Sequence, residues 1–495
     1  MNSIRINQSK NIYDYVYGSI NIDNLYMRFI DTFHFQRLRR IKQLPTLEYL
    51  YYSAQHPVYD HAIGTFYLCN EYVKKLLVKN KGKNEEVMIN SISLCGLCHD
   101  LGKAPFSKSF NEFYKKKKGV VFDEKEMSYK MLINLIDQNH IEIEGDTECE
   151  RFDIKTIGYI LKGTKTGSFS DKRHFYNDIV NNEYTGIDCC LYDKLLRDTH
   201  KLGFKPFFEP QILLNSSLIV EDEICFKKSD LETIISLFKA KYQMNQKFYN
   251  QRISQAIELM MTDFFLESDS VLKYEEKVGD VEKFMRFDDS VVDYKFNSSK
   301  SLEKSHRILL DIANRNLYCY VGKYSIIPKT NDTLCVNERM EAVKKFARFN
   351  EETLLNYLSE DDCNVQKGEI RIYKESEYFG IDEDSDNSFI EKIPFYDEKY
   401  GKVHFHKEDL SDLDPKNNQK KNIKIFLVNT TKDNNGLHKN IDKIKALQNA
   451  LERYHKENSS SQQGLISLHK SPGKNVREKP EINFQNYMKK NNIKF

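Results

Sequence analysis

The chain contains no tryptophan, no dominant charge of either sign, and no apolar run of about 18 residues that could cross a bilayer as a helix. Its 75 basic residues against 73 acidic ones leave a formal charge of +2, so nothing global points to nucleic acid or to a membrane surface. A disulfide framework is missing too. The 10 cysteines are scattered without a pattern of spacings and read as reduced thiols of a cytosolic or nuclear protein. The opening Met1-Asn2-Ser3-Ile4-Arg5 has no apolar signal region, so the chain is expected inside the cell, not secreted. What is abundant is Tyr (30) and Phe (31), a bias without a functional reading, in 495 residues that suffice for a large core and a second lobe.

Apolar residues three and four apart predict helices over Glu86–Leu101, Glu126–Asp137, Asn182–Thr199, Ser229–Lys239, Met244–Leu266 and Ser301–Asn314. The expected fold is mostly α, with an α-helical domain over residues 1–330. After Asn331 the pattern alternates, with strands expected at Glu369–Tyr373, Gly401–His406 and Ile423–Val428, a turn at Phe379–Asp382, and one helix at Asn440–His455. Residues 331–456 therefore read as a smaller α+β lobe, and 457–495, polar and rich in Lys and Asn, as a disordered tail. No internal repeat is evident.

The most informative feature is the pair His99–Asp100 in Leu94-Cys95-Gly96-Leu97-Cys98-His99-Asp100-Leu101-Gly102. Adjacent imidazole and carboxylate can hold one metal ion from a single helix end. His61 opens an amphipathic stretch that runs to about Lys79, so two neighbouring helices can bring three ligands to one divalent ion. Such an ion lowers the pKa of a bound water to about 7 and polarises a phosphoryl oxygen. The same run also reads as Cys95-x-x-Cys98-His99, the attachment pattern of a c-type haem, but that pattern belongs to exported proteins. Cys95 and Cys98 fall with Met88, Ile92 and Leu97 in a helical apolar pattern and read as buried hydrophobes. Lys115–Lys118, following a helix and preceding Gly119, reads as a solvated loop. Gly163–Ser168 lacks the Gly-Lys-[Ser/Thr] ending of a phosphate cradle and reads as a turn.

The surroundings of the pair resemble the HD-domain phosphohydrolases, in particular the deoxynucleoside-triphosphate triphosphohydrolases of the SAMHD (SAM and HD domain) type. The matching segments keep the family's order: Gly18-Ser19-Ile20, Asp31 to Leu44, the His61 and His99–Asp100 runs, Pro105-Phe106-Ser107, Gly186-Ile187-Asp188, Arg197-Asp198, Met261-Thr262-Asp263, and Arg315 to Gly322. The SAM domain that precedes the HD core in some relatives is not expected in this sequence. The resemblance implies one divalent ion (Mn, Mg, Fe or Zn) on His61, His99, Asp100 and a fourth ligand. That fourth position, the second aspartate of Gly-Ile-Asp-x-Asp, is Cys190, whose thiolate suits Zn²⁺ better than Mg²⁺ or Mn²⁺. Asp188, two residues earlier, would point to another side of a helix.

Other catalytic positions depart as well. Lys103 and Lys108 stand where the family carries histidines, Asn111 where an aspartate orients the second of them, and a further histidine falls near Glu124. Val58 replaces an arginine that holds the triphosphate, Leu191 a lysine beside the fourth ligand, and Lys194 a tyrosine one turn later. A lysine serves as general acid near neutral pH only if burial lowers its pKa by several units. The recognition set is better kept. Gln43 and Leu44 match the groups that read sugar and base, Asp198 an acceptor for the 3′-hydroxyl, and Tyr249 a ring that crowds the 2′ position. Asn250, Lys241 and Asn245 replace a glutamine, an arginine and a histidine there. In the family's activating guanine site, Asp31, Gln36 and Arg39 match base-reading groups and Lys10 and Arg315 match phosphate contacts. Tyr13 and Cys319 depart from that site, and Arg37 and Arg39 are also what any helix surface carries.

Two expectations follow. One is a nucleotide-binding relative, taking a deoxynucleoside triphosphate or guanine nucleotide as partner and assembling as a homo-oligomer, with weak or no hydrolysis. The other is an active metal-dependent enzyme that cleaves dNTP to deoxynucleoside and triphosphate. A single-stranded nucleic-acid binder rests only on the Lys-rich tail and loop.

Overall fold

The computed structural model describes residues 9–80, 85–143, 151–163, 174–205, 208–293, 300–327, 343–359, 365–377, 389–399, 401–405, 420–428, 441–458 and 463–468. The fold is mostly α, with a smaller strand-containing C-terminal region. No described helix is long and apolar enough to cross a membrane. The chain divides into two units, one made of residues 1–251, 257–316 and 377–419, the other of 252–256, 317–376 and 420–495.

The first unit is built on three helices. Val58–Asn80 buries Ala62, Ile63, Phe66, Cys69, Val73 and Leu76, an i, i+3, i+4 stripe, and packs against Glu85–Cys98 and Cys189–Lys201. Glu85–Cys98 is buried on every side from Ser91 to Cys98, as a central helix must be. Two glycines permit the close approach. A Cβ on Gly64 would lie 1.9 Å from Asp193 Oδ1, and one on Gly96 would lie 2.7 Å from Cys69 Sγ.

Two predicted helices begin later than their periodicity suggests. The segment expected to be helical from Asn182 turns instead, because the Asn182 amide oxygen accepts the Tyr184 and Thr185 N–H groups and Gly186 sits at φ +63°. Asp188 then caps the helix Cys189–Lys201 by accepting from Leu191 N. The stretch expected to be one helix from Met244 is broken by a π-helical turn at Asn245–Tyr249 before Arg252–Leu272 begins. Lys115–Lys118 is not a loop but the last turn of Ser107–Lys118, where ammonium groups favour the helix C-terminus.

Strands Leu218–Val220, Glu223–Lys227, Phe395–Asp397 and Gly401–Val403 form a four-stranded sheet in the first unit, so part of the segment expected in the C-terminal lobe returns to the helical unit. In the second unit Cys319–Ile327 lies between Gln463–Leu468 and Lys420–Leu427, with Ile370–Glu377 at the edge. Val321, Ile423, Ile425 and Leu427 pack under helix Ile441–Asn458. Gln463–Leu468 falls in the segment read as a disordered tail. Leu465, Ile466 and Leu468 are apolar, but the polar residues on both sides outweigh them in the tail's composition and hide a strand that pairs with Cys319–Ile327. The turn expected at Phe379–Asp382 and the rest of the tail lie outside the described residues.

Arg37, which the sequence leaves on a helix surface, is 3% exposed. Its guanidinium donates to the carbonyls of Leu101, Lys103 and Phe287, fixing the loop that follows His99–Asp100. Asp289 holds the far end of that loop, accepting from Phe106 N, at φ +46°, and from Lys42 N. Burial pushes the Asp289 carboxyl up to about 7 against these two donors. Its folded pKa lies above the unfolded value of about 3.9, so the folded state binds the extra proton between those values, and this contribution to stability is lost as pH rises from about 4 to 7. We therefore expect Asp289→Asn to flatten the drop in melting temperature between pH 5 and pH 8. Parallel wild-type and variant profiles would contradict this.

Candidate metal and nucleotide site

His61, His99 and Asp100 meet at one point. Their ligand atoms lie within 4.8 Å of one another, with the two Nε2 atoms 3.3 Å apart and Asp100 Oδ2 3.6 Å from His99 Nε2 and 4.0 Å from His61 Nε2. Each imidazole is oriented from behind. His61 Nδ1 donates to Asp193 Oδ2 at 2.6 Å and His99 Nδ1 to the Gly96 carbonyl at 2.8 Å, leaving both Nε2 lone pairs for the shared point. Burial lowers the His61 pKa, despite Asp193, which favours the neutral imidazole a metal needs. Two imidazole nitrogens and one carboxylate oxygen converging in this way fit a divalent ion.

Asp193 is the residue that sequence reasoning missed. It lies on Cys189–Lys201 and also accepts from Tyr17 Oη at 2.9 Å and from both Arg197 Nε and Nη2, at 3.0 and 2.9 Å. Arg197, fully buried, adds an ion pair to Asp14 at 2.9 Å. Burial opposes the Asp193 charge, but the Arg197 guanidinium outweighs it and holds the carboxyl at about 2. The i, i+4 spacing of Asp193 and Arg197 was the available signal, though that spacing alone reads as a surface pair.

Lys103 and Lys108, which stand where the resembling family carries histidines, are tied down. Lys103 Nζ lies 3.1 Å from Asp100 Oδ2 and 3.1 Å from Gln43 Oε1. Burial works against both charges of the Lys103–Asp100 pair, yet each keeps the other ionised, Asp100 well below and Lys103 above its ordinary value. Lys108 pairs with Glu258 at 3.1 Å. Asn111, which would orient a histidine at that place, has an amide oxygen with no hydrogen-bond partner among the described residues. Glu124 accepts from Ala104 N, and burial raises its carboxyl to about 7 against the nearby Lys103 charge. Lys194 and Lys241 are lowered by burial and by neighbouring ammonium groups, Lys103 and Lys108 for Lys194, and Lys194 for Lys241.

Next to them Asp198 is clamped at both oxygens, Oδ1 by His56 Nε2 at 2.9 Å and Oδ2 by the Tyr249 hydroxyl at 2.5 Å. Leu44 is buried. Tyr249 comes from the π-helical turn, with the Lys194 ammonium 5.3 Å from its ring centroid.

An HD-domain profile matches residues 58–171, the span that carries all three converging ligands. Residues 58–171 thus carry an HD domain. The chain is 33% identical over 319 residues to the deoxynucleoside triphosphate triphosphohydrolase SAMHD1 homolog of Dictyostelium discoideum, covering 64% of this chain and 60% of that one. The bovine and human proteins named deoxynucleoside triphosphate triphosphohydrolase SAMHD1 are 28% and 27% identical, over 63% and 65% of this chain and 59% and 56% of theirs. The chain thus spans about 60% of the length of the curated relatives it matches.

Among the described residues Cys190 does not join the three-residue cluster. It sits in the first turn of Cys189–Lys201, where burial and then the Asp188 charge push its thiol well above its ordinary value and disfavour the thiolate. Asp188 spends its oxygens on Leu191 N and Asn182 N.

The residues that resemble a guanine site are also brought together. Lys10 Nζ bonds Asp31 at 2.8 Å, Gln36 donates to the Ile30 carbonyl and accepts from Arg39 Nε at 2.7 Å, and Arg39 stacks 3.7 Å from the centroid of the Tyr59 ring. Arg315, at φ +60°, instead donates to the Tyr49 carbonyl.

Proposed function

We propose that this HD-domain protein binds deoxynucleoside triphosphates beside a weakened metal centre and hydrolyses them slowly or not at all. The observation that carries this reading is Lys103. It stands at a histidine position of the resembling family and is held by Asp100 and Gln43, so it contributes positive charge, not an exchangeable proton. Lys108, paired with Glu258, does the same, and Lys194 and Lys241 complete a lysine-rich wall suited to a triphosphate. When bound, a divalent ion on His61, His99 and Asp100 supplies polarisation of a phosphoryl oxygen and an acidified water. Gln43, Leu44, Asp198, Tyr249 and Asn250 supply the nucleoside pocket.

The test is incubation with dGTP and Mn²⁺, Mg²⁺ or Zn²⁺, reading triphosphate release. Turnover is expected at least about a thousandfold below a relative with the full histidine set, since a general acid alone is worth roughly 10²–10⁴. Robust turnover, abolished in His61→Ala, would make the protein a working triphosphohydrolase instead.

The cluster of Lys10, Asp31, Gln36 and Arg39 supports a guanine-nucleotide site that promotes assembly of a homo-oligomer. GTP or dGTP is expected to raise the melting temperature and increase the assembly size, while ATP does neither. A ligand at a hundredfold excess over Kd stabilises by about 2.7 kcal/mol. Asp31→Ala should remove the selectivity, because its carboxylate is the acceptor for guanine N1–H and N2–H₂. Melting curves that ignore millimolar dGTP in both proteins would end this reading.

A further inference from the structure

We propose that His56 is the specificity-determining positioning residue of the nucleotide pocket, fixing Asp198 and, through it, Tyr249 in the arrangement that favours 2′-deoxyribose over ribose. The proposal rests on the nucleotide-binding reading above.

The His56 and Asp198 side chains are both fully buried, with His56 Nε2 2.9 Å from Asp198 Oδ1. The other Asp198 oxygen accepts the Tyr249 hydroxyl at 2.5 Å. A carboxylate held at both oxygens has its plane set, and the lone pairs left over define the direction from which a sugar hydroxyl can approach. Remove the imidazole and that plane is free to rotate about χ2, a soft torsion. The Tyr249 ring, carried on a π-helical turn, then loses the anchor of its hydroxyl group, and by the resemblance it is this ring that would crowd a 2′-hydroxyl.

His56 is itself held from two directions. Pro57 follows it, which favours extended backbone, and its carbonyl accepts the Gln43 N–H at 3.0 Å. One residue therefore sets the backbone of Gln43 and the side chain of Asp198, two groups that would face the same sugar. A packing role alone would be met by an apolar ring. Instead the imidazole is buried with its Nδ1 lacking any hydrogen-bond partner among the described residues. A buried polar atom without a partner is costly, so its Nε2 contact is what this position retains. Substituting the side chain leaves the carbonyl bond to Gln43 in place.

The test is calorimetric titration of the full chain with dATP and with ATP in Ca²⁺, using adenine nucleotides so that a guanine site stays empty. Wild type is expected to prefer dATP by about tenfold or more, within the range a pocket achieves against one added hydroxyl. His56→Ala should bring the two affinities to within about twofold, and His56→Gln, whose amide can still donate to Asp198, should restore most of the preference. A folded His56→Ala that discriminates as well as wild type overturns the role of His56 while leaving the nucleotide pocket standing. Wild type that binds neither nucleotide overturns the pocket itself and this proposal with it. If the variants do not fold, the wild-type protein still decides the question by proton NMR of the ring Nε2–H of His56. That signal should shift with dATP and not with inorganic triphosphate, and a signal indifferent to dATP counts against the proposal.

Discussion

Asp193→Ala is expected to lower unfolding stability by about 3–5 kcal/mol, the usual cost of removing one partner from a buried ion pair. Arg197 would keep its full burial with Asp14 as the remaining carboxylate, and the Tyr17 hydroxyl and His61 Nδ1 would lose their acceptor in the same step. Urea unfolding at pH 7 measures the effect. An alanine variant unfolding with wild type would mean that the Asp14–Arg197 pair is sufficient. The stability Asp193 supplies has a definite pH window. Its folded pKa of about 2 lies below the unfolded value, so the contribution is full above about pH 4 and is lost as pH falls towards 2. Asp193→Asn keeps the shape but no longer favours the Nδ1–H tautomer of His61, and metal affinity in the folded variant should drop roughly 10–100-fold. His99→Ala or Asp100→Ala should abolish metal binding altogether, which equilibrium dialysis reads directly. Stoichiometric metal in purified His99→Ala would remove these residues as ligands.

The convergence of His61, His99 and Asp100 was legible because its chemistry is local, whereas Cys190, expected as a fourth member, stays out of the cluster. His99 and Asp100 are adjacent, and His61 lies in the first turn of helix Val58–Asn80, whose stripe of Ala62, Ile63 and Phe66 says which side faces inward. The supports were not legible, since they are long-range. Asp193 reaches His61 across 132 residues, and Arg37 reaches Phe287 across 250. Periodicity found the helices but overran their starts. It sees spacing and not the competing bonds of a side chain such as Asn182, nor the extra residue of the turn that carries Tyr249. The same limit explains Gln463–Leu468. Its three apolar residues, Leu465, Ile466 and Leu468, are too few to stand out in a polar tail, and the ladder that Cys319–Ile327 offers them leaves no trace in local composition. His56 was invisible as a functional residue for a related reason: its role rests on Asp198, 142 positions away.

Rebuilding the missing chemistry is the second experiment with a large expected effect. Cys190→Asp places a hard oxygen ligand one turn before Lys194, on the helix that already supplies Asp193, and should raise Mn²⁺ affinity at least about tenfold, since carboxylates suit that ion where thiols do not. Lys108→His together with Asn111→Asp should return an imidazole and its orienting carboxylate to the site, using the position where the Asn111 amide oxygen is now without a partner. The combined triple variant is expected to release triphosphate from dGTP at least about a hundredfold faster than wild type, the lower end of what a positioned general acid contributes. The single Lys108→His should gain much less, because an imidazole without its orienting carboxylate would act beside a centre that holds its metal only weakly. If the triple variant binds Mn²⁺ tightly yet turns over no faster than wild type, the block lies elsewhere. The first place to look is then Val58, where the triphosphate lacks the arginine that the resembling enzymes provide, and Val58→Arg added to the triple variant would separate weak phosphate binding from slow chemistry through its effect on KM alone.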